Sequence, residues 1–146
     1  METNRAVAGT VVGGIVLYVV GYLMFTMAFA SFYAANAGSA TGVDRGGELL
    51  WAMLVGNFAY AALVMYTLAR RPGPWSIAEG ARVGAIVGFL IWGTADFVFY
   101  GYSNIANLTR TIVDPLLEIV HGGIGGAVIA AVVGRMAGGE AQASSA

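Results

Sequence analysis

Four long apolar stretches, separated by short polar breaks, organise the chain: Ala6 to Tyr33, Leu49 to Ala69, Val83 to Tyr102 and Ile112 to Met136. A helix needs roughly 20 mostly apolar residues to cross a bilayer, and each stretch reaches that length. The pattern predicts an all-α bundle of four transmembrane helices forming one domain over residues 1–136, with a small, polar, disordered tail at 137–146. Between the second and third stretches, Arg70-Arg71-Pro72-Gly73-Pro74-Trp75 reads as a tight break ending in an interfacial tryptophan.

Inside the apolar stretches, small residues recur at every fourth position. Gly80, Gly84 and Gly88 continue into Trp92, Asp96 and Tyr100, while Glu118 is followed by Gly122, Gly126, Ala130 and Gly134. Small residues at that spacing let membrane helices approach closely. The second stretch carries a related row, Glu48, Ala52, Gly56 and Tyr60. Such a row drifts around the helix, so it forms a packing ridge and not a straight stripe.

The two halves also resemble each other. Gly21-Tyr22-Leu23-Met24-Phe25 recurs as Gly88-Phe89-Leu90-Ile91-Trp92, Phe32-Tyr33 as Phe99-Tyr100, and Val43-Asp44 with Glu48 as Val113-Asp114 with Glu118. This predicts a tandem duplication of a two-helix hairpin, with halves at 6–70 and 77–136. Copies that each cross twice keep the same orientation, so their symmetry axis runs along the membrane normal.

Composition narrows the function. Hydrophobic residues make up 58% of the 146 residues and charged ones 10%, against about 25% charged in an ordinary soluble domain. No basic cluster suits nucleic acid. The chain has no cysteine, which excludes disulfides, thiol catalysis and cysteine-ligated metals. Its basic side chains are all arginine. Arg5, Arg70, Arg71, Arg82 and Arg135 fall on the side of the termini, and only Arg45 and Arg110 on the other. Arginine excess marks the cytoplasmic face, so both termini are expected inside a bacterial inner membrane. The expected partners are the lipid bilayer and further copies of the chain or other membrane subunits.

The polar residues that interrupt the apolar stretches carry the candidate chemistry. Asp114, Glu118 and His121, the only histidine, are spaced to share one side of a helix. Asp44 and Asp114 read as helix N-caps, with Pro115 at the first helical position, where its missing N–H costs nothing. Glu118 and His121 lie deeper. A charge at the bilayer centre costs about 2.5–3.5 kcal/mol on insertion scales, and such residues face the protein interior. At 1.5 Å per residue, Asp96 lies ~10 Å from its helix end, Glu118 ~9 Å and His121 ~13 Å, on adjacent antiparallel helices. The expectation is a polar layer centred on Asp96, Glu118 and His121, ringed by Tyr100, Asn57 and Glu48. Its candidate role is ion binding or proton relay.

Cofactor chemistry is poorly supported by the residues. Glu118-x-x-His121 has the spacing of carboxylate di-metal bundles, but those require a second histidine. Asp96, Glu118 and His121 supply donors for at most a single divalent ion. Haem would need a methionine such as Met24, Met27 or Met53 opposite His121, so no cofactor is expected. The aromatic run Asp96 to Tyr102 suits either a ligand pocket or an interfacial belt.

The stretch Asp96 to Glu118, with D-x-x-x-Y, Asn104 eight residues on and a later Asp114, resembles an uncharacterised family of small bacterial four-helix membrane proteins. The family's Trp-Pro before the aspartate is replaced here by Thr109-Arg110-Thr111-Ile112-Val113. The resemblance implies a fold and carries no activity. The expected function is cation- or proton-coupled transport of a small solute, as a carrier or channel. The alternatives are an accessory subunit of a larger membrane complex, and a membrane enzyme or binder of a lipid-like ligand.

Overall fold

The computed structural model describes residues 3–143, with side chains as far as residue 139. Helix α1 (Thr3–Gly21) runs on into a π-helical segment, Tyr22–Ala28, and after Phe29 comes a short α2 (Ala30–Ala35). Helices α3 (Leu50–Ala69), α4 (Ile77–Tyr102) and α5 (Leu108–Ala143) follow. Among the described residues, four helices are long and apolar enough to cross a membrane: Thr3–Ala28, Leu50–Ala69, Ile77–Tyr102 and Leu108–Gly139.

Two helices start earlier than the apolar pattern suggests, because polar residues cap them. Ser76 Oγ accepts the Glu79 backbone N–H at 3.1 Å, and Glu79 Oε2 accepts the Ser76 N–H at 2.8 Å. This reciprocal capping box satisfies two orphan donors and opens α4 at Ile77. At the start of α5, Asn107 Oδ1 accepts the Arg110 N–H at 3.0 Å, so the cap belongs to Asn107 and not to Asp114.

That displaces the capping assignments. Asp114 lies in the second turn of α5 and is buried, while Pro115 sits inside the helix and is fully buried. At that position proline withholds one internal hydrogen bond. Asp44 lies in the exposed loop before α3, and Leu49 takes the cap position of that helix. The repeated V-D-x-x-x-E motif thus occupies an exposed loop in one half and a buried helix in the other. At its far end α5 runs to Ala143, taking in residues 137–143 of the expected tail; residues 144–146 lie outside the described residues.

The apolar core fills the half of the bundle nearest the termini. Leu17 of α1, Ala61, Val64, Met65 and Leu68 of α3, Val83 and Val87 of α4, and Ile129 and Val133 of α5 are all buried there. Helices α4 and α5 make the closest contact. A Cβ built on Gly84 would lie 2.0 Å from the Gly122 carbonyl oxygen, and one on Gly126 2.1 Å from the Gly80 oxygen. The two backbones touch through four glycines, as the ridges predict.

At the opposite end, the loops after α2 and after α4 are pinned together. Gly38 N–H donates to Ile105 O at 2.9 Å, Ala40 N–H to Asn104 O at 3.0 Å, and Asn107 N–H to Asn36 O at 3.2 Å. The Asn107 side-chain amide also donates to Asn36 Oδ1 at 3.1 Å. This clamp places α2 against the start of α5, directly above the buried polar residues.

Candidate functional site: a cavity walled by buried acids

The half of the bundle beyond the apolar core encloses a cavity of about 970 Å³. Its walls are α1 with its π-helical extension, α2, α3, and the α4–α5 pair. Helix α3 leans on α1 and stands apart from α5 here. Gly56 of α3 meets nothing within 4 Å, whereas Tyr60, one turn on, is buried.

One hydrogen-bonded group centres on Glu118, which is 2% exposed. Its Oε2 lies 2.8 Å from His121 Nδ1 and accepts a long bond from the Tyr60 hydroxyl at 3.5 Å. His121 Nε2 lies 2.8 Å from the Leu17 carbonyl oxygen of α1. A carbonyl only accepts, so Nε2 must carry hydrogen. The Nδ1–Oε2 contact then needs one further proton, on either atom. The pair is neutral overall, as imidazolium–carboxylate or as imidazole–carboxylic acid, and one short proton shift interconverts the two. The imidazole is wedged edge-on between the rings of Phe25 and Tyr60, with centroids 5.4 and 5.8 Å away.

Glycine makes room for this group. A Cβ at Gly88 would lie 2.1 Å from the Tyr60 hydroxyl, and one at Gly122 2.3 Å from it. Tyr60 therefore reaches Glu118 through a notch between α4 and α5. Gly21 leaves space for the imidazole, since its Cβ would lie 3.2 Å from His121 Nε2.

A second group lies one turn away on α5. Asp114 accepts a hydrogen bond from the Tyr33 hydroxyl of α2, and its carboxyl is within hydrogen-bonding reach of Asp96 on α4. Asp96 Oδ2 is buried and receives no donor among the described residues. Two carboxyl groups can bond each other only through a proton held by one of them. Arg110 closes this side, with its guanidinium 4.9 Å from the Tyr33 ring centre.

The predicted layer is therefore partly assembled. Asp96, Glu118 and His121 all line the one cavity. They form two groups, because Asp96 faces Asp114 while Glu118 holds His121. Among the described residues no three His, Asp or Glu side chains are gathered closely enough to hold a metal ion. Asn57 lines the cavity, but its amide donates back to Met53 O at 2.9 Å. Tyr100 is 43% exposed and does not reach the cavity. Glu48 sits in the exposed loop before α3. The residues that sequence reasoning left out of the site are Asp114, Tyr33, Tyr60, Arg110 and the Leu17 carbonyl. The Asp114, Glu118, His121 spacing was the available signal for the first of these. Comparison with protein-family models, curated proteins and solved structures finds no match.

Proposed function

We propose that this chain is a small membrane carrier that exchanges protons for a cationic solute at the cavity. The observation that carries the reading is the Asp96–Asp114 pair, one oxygen of which is buried without a donor. With a proton between them, the two acids are satisfied. Without it, two like charges face each other at low dielectric, and a bound cation is the natural replacement. Proton and cation then compete for the same oxygens, which is the minimum chemistry of an exchanger. The neutral Glu118–His121 pair lies beside them and can shift a proton between its own two members. On the arginine distribution both termini lie in the cytoplasm, and the cavity opens in the outer half of a bacterial inner membrane.

The competing reading makes the polar layer a lock between helices of an accessory subunit. The cavity argues against it, because a lock gains from being closed and fully paired. Vesicles reconstituted with the full chain and loaded with a pH-sensitive dye separate the two. Sodium, potassium and organic ammonium salts are added outside, one at a time. Exchange predicts that at least one class drives luminal protons out, and that Asp96→Asn abolishes this while helical circular dichroism is unchanged. Luminal pH that responds no faster than in empty vesicles, for every class, would overturn the reading.

A further inference from the structure

We infer that the cation is an organic ammonium with an apolar or aromatic body, and not an alkali ion. This rests on the exchange reading and specifies its substrate. The cavity, at about 970 Å³, lies at the upper end of the roughly 300–1,000 Å³ typical of small-molecule sites. Apart from Asp44 at the rim, its charged and imidazole groups are gathered on the α4–α5 pair: Asp96, Asp114, Glu118, His121 and Arg110. The rest of the lining is mostly apolar, with the rings of Tyr18, Tyr22, Phe25, Tyr60 and Trp92 set among small and aliphatic side chains. An alkali ion would need several oxygens converging at one point, and the acids are instead spread over two groups, each already internally bonded.

Charge and geometry point the same way. The ionisable lining is Asp44, Asp96, Asp114 and Glu118 against Arg110 and His121. The Glu118–His121 pair is neutral by its own hydrogen bonding, and exposed Asp44 sits at the rim. What remains deep in the cavity is two facing carboxyl groups beside one arginine. An ammonium N–H supplies the donor that Asp96 Oδ2 lacks. Trp92 precedes Asp96 by one helical turn and lines the same cavity, so its ring is placed to take the cation's adjoining carbons or the charge itself. Trp92 is 38% exposed and Tyr22 42%. Both lie within membrane-crossing helices, so an amphiphilic cation can reach the walls from the bilayer as well as from water.

Equilibrium dialysis of the full chain in detergent, with radiolabelled 2-phenylethylammonium, tests this. Neutral 2-phenylethanol matches that cation in shape and lacks the charge. The ammonium is expected to bind about tenfold or more tightly than the alcohol, the scale of one charge-assisted hydrogen bond. A trimethylated analogue, which has no N–H, should bind more weakly than the primary ammonium. Asp96→Asn should remove the preference for charge and leave alcohol binding in place. Equal binding of ammonium and alcohol to the unaltered chain, a comparison needing no variant, would overturn the inference. So would displacement of the ammonium by sodium as readily as by unlabelled ammonium. Failure here with sodium-driven proton release in vesicles would sink the substrate class and keep the exchanger. Binding without any proton release would do the reverse.

Discussion

Replacing Gly84 by alanine tests the architecture that holds the cavity. The added Cβ would sit 2.0 Å from the Gly122 carbonyl oxygen, 2.8 Å from its carbon and 3.0 Å from Gly126 Cα. All three are backbone atoms, so no side-chain rotation relieves the clash, and α4 and α5 must move apart by roughly 1 Å to regain ordinary contact. Overpacking of this kind costs about 1–3 kcal/mol, and a backbone neighbour places it at the upper end. Alanine recovers about 1 kcal/mol of helix propensity over glycine. The net expectation is a loss of about 2 kcal/mol, or roughly thirtyfold in the folding equilibrium. Gly56→Ala is the matched control, because its Cβ meets nothing within 4 Å and only the propensity gain remains. Unfolding of the purified chain by sodium dodecyl sulphate in mixed micelles, followed by tryptophan fluorescence, reads both. Gly84→Ala should unfold at clearly lower detergent fraction and Gly56→Ala at equal or higher. Coincident curves for the two variants would mean that α4 and α5 are not in backbone contact, and the cavity wall as described would fail.

His121→Phe keeps the ring between Phe25 and Tyr60 and strips Glu118 of its partner, so it should cost about 3 kcal/mol or more in the same assay. Adding Glu118→Leu should recover much of that loss, and strict additivity of the two changes would refute the pairing. Tyr60→Phe removes only a 3.5 Å bond, so its cost should stay within about 1 kcal/mol, measured as the shift in unfolding midpoint. Asn107→Ala removes both the α5 cap and a side-chain bond to Asn36, and a loss of about 1–2 kcal/mol should accompany faster proteolysis of the 36–49 loop. Glu48→Gln, in the exposed loop, should leave proton release in vesicles at the level of the unaltered chain.

How far the sequence reveals this molecule depends on the range of the interaction. The spans are legible because a run of apolar residues is a local property, and the α4–α5 contact because its glycines repeat at every fourth position. The start of α4 is equally local: Ser76-Ile77-Ala78-Glu79 is a capping box, and its polar residues lie outside the apolar run that begins at Val83. Asp114 is different. Beside Pro115 it has the local look of a helix start, and only the distant cap at Asn107 moves it into the second turn. Its partner Tyr33 arrives through the pinning of residues 36–40 on 104–107, a contact between segments about 70 positions apart. The π-helical run from Tyr22 to Ala28 adds a further displacement. Counting by 3.6 through that run misplaces the face on which Phe25 and Tyr33 lie. Asn57 lines the cavity as its place on α3 suggests, although its amide bonds back to its own helix, whereas Glu48 precedes α3 in the exposed loop.

The division of the bundle into two halves bears on what can change without unfolding. The half near the termini holds the buried apolar core and the first of the glycine contacts between α4 and α5, and its hydrogen bonds are almost all internal to helices. The other half holds the two acid-centred groups, and each joins separate helices: His121 reaches α1, Tyr60 comes from α3, and Tyr33 from α2. Of these ties, only the Tyr60 bond holds α3, and it is the longest at 3.5 Å. A ligand that draws on Glu118 therefore competes with the weakest of these ties, while the α4–α5 wall that carries both acids is fixed by backbone contact. Substitutions at Gly84 and at Asp96 should for this reason be separable, the first changing stability at every ligand concentration and the second changing only the ligand's increment to it. If Asp96→Asn lowered stability as much as Gly84→Ala in the absence of any cation, the carboxyl pair would have to be counted with the scaffold.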